Sequence, residues 1–433
     1  MRLSRLLTAA ALLTGLTVLS GQPAFAADCA EGTELKTVPW AQKMVPPEKV
    51  APFATGAGVV IATLDTGAAA GHVQLKGHVL PGTDFVKGRG KGRGDADCAG
   101  HGTGVASLIV GQGDSPNTGF RGLAPGASIL PVKISEGDPA QGGSEGENTS
   151  DDRVDPAGFA AALTWAVDEG RADVVNMSLK FDENHPVIES AIAAAAAKGV
   201  VLVASGGNGH SEEVYAKTGR DTVSYPVGYD GVIGVGSITE EGVRASTSEI
   251  GDWIDLVAPG ENVSFATPDG KYNTSSGTSL SAAFVSATAA LVIEAHPELR
   301  RKGPEVARRI MATASPAPGG MNSLAYGAGI VDPYRAVTDE MPQDPAPAEM
   351  APMSIAPVDP AELAAAHERE VMTDRAMWIG TGLAAATVLV LTVMGALRRG
   401  RRRGWHPGRR AVPDESDEGD DDAPIALLRN LKL

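Results

Sequence analysis

Residues 58–65 read GVVIATLD, a near-continuous apolar run that ends on an acid. Similar runs follow along the chain: ASILPVKI at 127–134, ADVVNMSL at 172–179, GVVLVASG at 199–206 and GVIGVGSI at 231–238. Short apolar runs that end in turn residues are typical of strands buried on both faces, as in a parallel sheet. The runs therefore predict a mostly parallel central sheet.

Helical patterns separate these runs. They are VASLIVGQ at 105–112, PAGFAAALTWAVDEG at 156–170 and PVIESAIAAAAAKG at 186–199. Alternation of strands and helices indicates an α/β fold with three layers, in which helices cover both faces of the sheet. In such folds the reactive groups gather at the carboxyl ends of the strands.

The composition excludes some classes of function. With 433 residues, 43% of them hydrophobic and 21% charged, the chain is typical of a folded protein of two or three domains. A net charge of −16 and an aromatic content of 4% argue against a nucleic-acid partner.

Both ends carry targeting signals. The start has Arg2 and Arg5, an apolar run and then Ala24-Phe25-Ala26, which predicts a signal peptide over 1–26 that is cleaved after Ala26. The alternative, an uncleaved membrane anchor, is disfavoured by the helix-breaking residues 21–23.

Near the other end, residues 376–397 lack any charge and are followed by RRGRRRGWHPGRR. At ~1.5 Å per residue this stretch can cross a ~30 Å hydrocarbon core. Arginine clusters stay in the cytoplasm, and a buried core helix would not explain them. We expect a single-pass transmembrane helix, with the bulk of the chain extracellular and residues 398–433 as a cytoplasmic tail.

The remaining segments follow from composition. We expect an N-terminal extension over 27–55 and an α/β domain over 56–338. A Pro/Ala-rich linker with a juxtamembrane segment is expected over 339–375. The inserts 86–95 and 136–155 are predicted to be loops. The second is acidic but lacks EF-hand spacing, so a solvated loop is favoured over a Ca²⁺ site.

Polar residues in four of the turns could carry chemistry. Asp65 ends the first run, and Asn208 follows the fourth; either could simply be a turn residue. His101, in GHGTG, lies just before an apolar helix, where glycines allow close approach to its ring. Ser279, in SSGTSLSAAF, lies in the first turn of a long small-residue helix, where Ser and Thr are also common N-caps.

Together these residues have the chain order Asp, His, Ser that subtilisin shows. The motifs DTG, HGTGVAS and GTSLSAA closely resemble the three signatures of subtilisin-like serine proteases. VVNMSL is similar to their substrate-binding strand, and YGAGIVDPYRAV to their C-terminal helix motif. The signal peptide, the Cys-bearing extension, Asp-Cys before the His, the Pro-rich linker and the transmembrane helix resemble the mycosins, membrane-anchored proteases associated with type VII secretion in actinobacteria.

The resemblance implies a role for each candidate residue. Ser279 would be the nucleophile, His101 the base and then the acid, and Asp65 the group that orients His101. Asn208 would donate to the oxyanion together with the backbone N–H of Ser279.

The substrate would lie extended along Met177-Ser178-Leu179 as an added strand. Ser205-Gly206-Gly207 would form a wall of the pocket for the residue before the scissile bond. The chain departs from the family at Lys180, where Gly is usual, at Ala283, where Pro is usual, and at Ser281. These departures concern specificity and rate rather than the triad.

The implied function is an extracellular, membrane-anchored serine endopeptidase that needs no cofactor or metal. Its partners would be a protein or peptide substrate and membrane components of type VII secretion. An alternative is a structural component that stabilises the secretion complex without catalysis. A metal site from Cys29, Cys98 and His101 is a third interpretation, but it lacks a fourth ligand and would disable the base.

The two cysteines lead to a separate prediction. Because the chain is expected to be exported, they can oxidise, and only one pairing, Cys29–Cys98, is possible. This disulfide would tie the extension beside the active site. About thirty residues separate Ala27 from the first strand, which is too few for a prodomain with its own core, so we expect activation without autocleavage.

Overall fold

The computed structural model describes residues 29–86, 92–113, 118–137, 154–318, 320, 322–341, 390, 393–402 and 404. Two units are distinguished, Met1–Pro342 and Gln343–Leu433. In the second unit the described residues 393–402 are helical. The predicted signal peptide, the linker beyond residue 341 and most of the predicted transmembrane stretch lie outside the described residues, so these expectations stay predictions.

A parallel sheet of seven strands organises the described part of the first unit, in the spatial order β2-β3-β1-β4-β5-β6-β7. Its strands are β1 Val60–Asp65, β2 Thr83–Asp84, β3 Ser128–Lys133, β4 Val174–Met177, β5 Val201–Ser205, β6 Val232–Ile238 and β7 Leu256–Pro259. All five predicted runs form strands, and each pairs in parallel with its neighbours. The mostly parallel sheet is thereby confirmed.

The sequence did not lead us to predict four of the strands. β2 is two residues long, and β7 ends at a proline, so neither has a long apolar run. The other two, β8 Val263–Ala266 and β9 Tyr272–Ser275, form an antiparallel hairpin. β9 exposes all but its first residue, which explains why it lacks an apolar run.

Helices cover both faces of the sheet, as predicted. The helices in the described part of the first unit are α1 Trp40–Met44, α2 Pro47–Val50, α3 His101–Val110, α4 Pro156–Asp168, α5 Pro186–Ala197, α6 Glu212–Thr218, α7 Thr278–Ala295, α8 Gly303–Ala312 and α9 Pro333–Thr338. α3 and α7 pack on one face, in a core that includes Ile61 and Val203. α4 and α5 pack on the other face against Ala62 and Leu202, so alternate strand residues serve the two cores.

Helix α7 is the central helix of the first core. Every residue from Thr278 to Ile293 is buried, so small side chains such as Ala283 and Ala287 allow it to pack closely on the sheet. Among the described residues it is also the one helix long and apolar enough to cross a membrane. Because it is buried inside the domain, we interpret it as a core helix.

Candidate active site

Asp65 occupies the last position of β1, at the carboxyl edge of the sheet. β1 pairs with β3 on one side and with β4 on the other. The strands β2 and β3 are therefore added on one side of β1, and the strands from β4 to β7 on its other side. Such a reversal of strand order opens a crevice at the carboxyl ends of the strands, where active sites of α/β proteins form. The topology therefore places the Asp65 carboxyl group at the expected site.

The Asp65 carboxylate is fully buried and faces His101. Its Oδ1 lies 2.7 Å from His101 Nδ1 and also accepts the backbone N–H of Thr66 at 2.7 Å. Burial raises the pKa of Asp65, while its interaction with His101 opposes that increase. The alternative interpretation, that Asp65 is simply a turn residue, does not account for this short contact with His101.

Helix α3 begins at His101, which confirms that this residue lies at a helix N-terminus. Asp97, which is buried, takes the place of a cap: its carboxylate accepts the N–H of Gly100 at 2.9 Å and the N–H of Thr103 at 2.8 Å. Gly102 must lack a side chain, because a Cβ there would lie 2.1 Å from the carbonyl oxygen of Gly67. The strand-end turn and the helix start are thus in direct contact, which fixes the His101 ring beside Asp65.

Ser279 is the second residue of α7 and is 2% exposed. The N-cap of this helix is Gly277, and no side chain caps it, so the N-cap interpretation of Ser279 is wrong. Its buried Oγ has no hydrogen-bond partner within the described residues. A buried hydroxyl without a partner is costly to a fold, which points to a functional reason for its position.

His101, Asn208 and Ser279 line the same cavity, which has a volume of about 260 Å³. Ala30 of the N-terminal extension and Phe265 of β8 also line it. The structure therefore brings together three of the four predicted catalytic side chains at one cavity, with Asp65 bound behind His101.

The amide of Asn208 is oriented by the residue that precedes Ser279. Asn208 Oδ1 accepts the backbone N–H of Thr278 at 2.9 Å and its Oγ1–H at 3.0 Å. Because both partners donate, the oxygen must face Thr278, and the NH₂ group must point the other way. Thr278 Oγ1 in turn accepts the N–H of Gly207 at 3.1 Å, which joins the β5 loop to the start of α7.

The predicted substrate segments are the carboxyl ends of two adjacent strands. Met177 ends β4 and Ser205 ends β5, and the two strands pair in parallel. Between them the sheet presents Met177-Ser178-Leu179 and Ser205-Gly206-Gly207, all of them buried. Ser178 Oγ accepts from Asn176 Nδ2 at 2.8 Å, which holds the first segment to the core.

The disulfide predicted between Cys29 and Cys98 is present, with an S–S distance of 2.08 Å. It lies three residues before His101, and Ala30 N–H donates to the Cys98 carbonyl at 2.9 Å. Since both sulfurs are in the disulfide, neither is a thiolate that could bind a metal beside His101. The described residues contain no group of three His, Cys, Asp or Glu side chains that could hold a metal ion.

The extension continues from the disulfide along the hairpin. Thr33 pairs with Tyr272 of β9 through two backbone hydrogen bonds, and Gly32 N–H donates to Asp269 Oδ2 at 3.1 Å. The pKa of Asp269 is lowered: burial opposes this, but hydrogen bonds from Thr267, Gly32 and Lys271 outweigh it. The first described residues of the extension are therefore held against the hairpin, beside the cavity that Ala30 lines.

Several residues of the site were missed by sequence reasoning. Asp97 and Thr278 position His101 and Asn208, and Glu249 packs against Gly207. Asp97 and Thr278 are close in sequence to His101 and Ser279. Their hydrogen-bonding side chains, beside those motif residues, could have identified them from the sequence. Glu249 follows no apolar run, and only the tertiary fold shows its position.

The fold is that of a subtilisin-like peptidase. A model of the subtilase family, Peptidase S8, matches residues 56–329, and the chain belongs to this family. It is accordingly a serine endopeptidase with the subtilisin-like α/β fold.

Relatives and solved structures define the type within the family. The chain is 32% identical to Mycosin-1 of Mycobacterium tuberculosis (strain ATCC 25618 / H37Rv), an alignment that covers 73% of this chain and 77% of the relative. Subtilisin DY of Bacillus licheniformis is 32% identical, over 69% of this chain and 97% of the relative. The crystal structure of MycP1 from the ESX-1 type VII secretion system matches with a TM-score of 0.60 and 32% identity, over 73% of this chain and 90% of that one. The protein is a subtilisin-like protease of the mycosin type.

Proposed function

We propose that Asp65, His101 and Ser279 form the catalytic triad of this peptidase. The observation that carries the proposal is the 2.7 Å contact between Asp65 Oδ1 and His101 Nδ1, at a cavity that Ser279 also lines. With Nδ1 donating to a carboxylate, proton transfer falls to Nε2, the ring nitrogen that a serine base requires.

The reaction follows from these positions. His101 Nε2 takes the proton from Ser279 Oγ as the oxygen attacks the carbonyl carbon of the scissile bond. The buried Asp65 stabilises the resulting imidazolium, which then protonates the leaving amine. Water repeats the sequence on the acyl-enzyme and releases the second product. Because Asp65 is fully buried, its charge acts on His101 with little screening by solvent.

Asn208 and the N-terminus of α7 would stabilise the oxyanion. The Oδ1 contacts with Thr278 direct the Asn208 NH₂ group away from the helix, and Asn208 lines the cavity. The backbone N–H of Ser279 lies in the first turn of α7, where the helix dipole is positive. Two fixed donors of this kind lower the barrier because they need no reorganisation during the reaction.

The substrate would bind as an added strand along Met177-Ser178-Leu179. Ser205-Gly206-Gly207 would form a wall for the side chain of P1, the residue before the scissile bond. The support is that both segments are carboxyl ends of paired parallel strands and that Ser205-Gly206-Gly207 directly precedes Asn208. Main-chain hydrogen bonds to the segment that continues β4 beyond its last paired residue would supply affinity without sequence preference.

The enzyme would act outside the cell, held by a transmembrane helix at 376–397 and linked to type VII secretion. The support is the sequence itself, the disulfide, which suits an oxidising compartment, and the mycosin relatives. Membrane fractionation checks this anchor: the full chain should stay with membranes after carbonate extraction, while a chain ending at residue 338 should be soluble. A soluble full-length chain would contradict it.

Ser279→Ala tests the catalytic proposal. We expect wild-type enzyme to hydrolyse an unstructured exported protein and the variant to lose this activity by a factor on the order of 10⁶. Thr164→Ala, a substitution in α4 on the opposite face of the sheet, serves as a control that should retain activity. Equal hydrolysis by wild type and Ser279→Ala would reject the triad.

A second function is favoured by a neighbour of this fold. One solved MycP1 structure, 29% identical over 72% of this chain, is described as a serine protease and an essential component of the type VII (ESX-1) secretion system. We infer that this chain can also stabilise a secretion complex without catalysis. Secretion that survives Ser279→Ala but not loss of the whole protein would support this role, whereas equal loss in both would reject it.

A further inference from the structure

Lys180 directly follows the proposed substrate strand, at the position where subtilisin-like proteases usually have Gly. Its Nζ lies 3.2 Å from Asp182 Oδ1 and 3.9 Å from Glu249 Oε1. The two partners differ in environment, since the Asp182 side chain is 83% exposed and that of Glu249 is 4% exposed. Solvent screens the first ion pair, so Glu249 is the partner whose charge matters most for Lys180.

Glu249 packs directly against Ser205-Gly206-Gly207, the proposed wall for the P1 side chain. Its backbone N–H donates to the Gly207 carbonyl at 3.1 Å, and its Oε1 accepts the N–H of Gly209 at 3.1 Å. Gly207 has a φ of +108°, which favours glycine, and a Cβ there would lie 2.2 Å from the carboxyl carbon of Glu249. The carboxyl group thus borders the wall that precedes Asn208.

The two carboxyl oxygens of Glu249 differ in their hydrogen bonding. Oε2 is buried and has no hydrogen-bond partner within the described part of the chain. Lys180 Nζ also lies 3.7 Å from where a Cβ on Gly209 would be, which places the ammonium at the far end of the same wall. The Lys180 side chain therefore extends from the residue after Met177-Ser178-Leu179 to the loop that follows Ser205-Gly206-Gly207, where it meets Glu249.

We propose that Lys180 and Glu249 together determine the P1 preference of the enzyme, an inference that rests on the proposed function. Lys180 occupies the P1 pocket from within and restricts it to small side chains. Glu249 is the carboxylate at the end of this pocket, and it receives a basic P1 side chain when Lys180 is shortened. The reason is that a buried carboxylate without a cationic partner is unfavourable, so a substrate ammonium can replace that of Lys180.

The test compares kcat/KM for peptides that differ only at P1, with Ala, Leu or Lys. Wild-type enzyme should prefer Ala. In Lys180→Ala, kcat/KM for P1 Lys should rise relative to P1 Ala by about tenfold or more, and P1 Leu should also gain because space opens. Adding Glu249→Gln to Lys180→Ala should remove the gain for Lys and keep the gain for Leu.

Two further variants separate volume from charge. Lys180→Met keeps the length of the side chain without its charge, so the preference for P1 Ala should persist. Lys217→Ala removes an exposed lysine that pairs with Glu213 on α6 and should leave the P1 profile unchanged. If the Glu249→Gln double variant fails to fold, Glu249→Asp in the same background should weaken the gain for P1 Lys, because its carboxylate is shorter.

The inference is overturned if Lys180→Ala keeps the wild-type P1 profile, or if the gain for P1 Lys survives the change at Glu249. Labelling with a serine-reactive fluorophosphonate distinguishes these results from a failure of the proposed function. A labelled Lys180→Ala variant with an unchanged profile rejects the role of Lys180 alone. A folded wild-type protein that takes up no label rejects the triad.

Discussion

At the scale of single residues, the buried carboxyl of Asp65 is where function and stability conflict. It is 0% exposed, with one oxygen bound to Thr66 and His101 and the other, Oδ2, without a hydrogen-bond partner in the described structure. Burial of a carboxylate disfavours its charged form, and catalysis needs that form. Asp65 therefore lowers the stability of the fold at neutral pH in return for orienting His101.

Asp65→Asn should reduce kcat by roughly 10⁴-fold, because the amide favours the wrong tautomer of His101. The same change should raise the melting temperature at neutral pH. The pKa of Asp65 is raised by burial, so its contribution to stability is fully present below the ordinary value of 3.8 and is lost as pH rises through the raised value.

Melting temperatures of wild type and Asp65→Asn, measured between pH 4 and pH 8, check this prediction. The advantage of the variant should grow with pH. An advantage that stays constant or shrinks over this range would mean that the buried charge is not what limits stability.

Asn208→Ala is the second prediction at this scale. It removes the side-chain donor of the proposed oxyanion hole, so kcat should fall by about 10²- to 10³-fold with little change in KM. Steady-state kinetics on a peptide substrate measures both constants. Thr278→Ser, which keeps the hydroxyl group that orients Asn208, should stay close to wild type. A loss confined to KM would indicate that Asn208 binds the substrate rather than the transition state.

At the scale of elements, residues 30–34 of the N-terminal extension are held to the hairpin by a few polar contacts, whereas α1 and α2 of the same extension pack into the core. Asp269 accepts from Gly32 N–H and Thr267 Oγ1, and Thr33 pairs with Tyr272. Asp269→Ala should loosen residues 30–34 without unfolding the domain, because the disulfide still holds Cys29. Hydrogen exchange of the Gly32 and Thr33 amides should become faster, while exchange in β1 should not change. Equal protection in both proteins would show that Asp269 does not hold the extension.

Much of the sheet is predictable from sequence because its strands are buried on both faces. β1, β3, β4, β5 and β6 stand out as apolar runs, and parallel pairing follows from the helices between them. β9 escapes prediction because Asn273, Thr274 and Ser275 are exposed, so its pairing comes from the turn and from the extension. A strand whose side chains are mostly exposed has no apolar pattern from which it could be predicted.

The site divides in a similar way. His101 and Ser279 are visible in the sequence because glycines and a helix start mark them, and Asp65 because it ends a buried strand. The position of Lys180 beside Glu249 was not predictable, since 69 residues separate them and no local pattern links β4 to the loop after β6. Long-range polar contacts of this kind depend on how the loops pack after the sheet has formed.

At the scale of the whole molecule, the disulfide joins the two ends of a segment that contains β1, β2 and Asp65. Cys29 and Cys98 are separated by 69 positions, and closing such a loop lowers the entropy of the unfolded chain by an amount worth on the order of 4 kcal/mol. The bond therefore stabilises the domain and also holds the loop that presents His101. The expectation that activation requires no autocleavage stays a prediction.

The double variant Cys29→Ser/Cys98→Ser should unfold at a lower urea concentration than wild type, with a loss of about 2–5 kcal/mol in the free energy of unfolding. Urea denaturation followed by circular dichroism measures this loss. Wild type treated with a reductant should move toward the variant, and the variant itself should not respond. A variant as stable as wild type would show that the disulfide does not stabilise the domain.

The central claim is that Ser279 is a nucleophile activated by His101 and Asp65. It is tested most directly by incubating folded protein with a fluorophosphonate and locating the label by mass spectrometry. The account predicts one label, on the peptide that contains Ser279, with labelling abolished in Ser279→Ala and strongly slowed in His101→Ala. A folded wild-type protein that stays unlabelled, or a label on another serine, would contradict it.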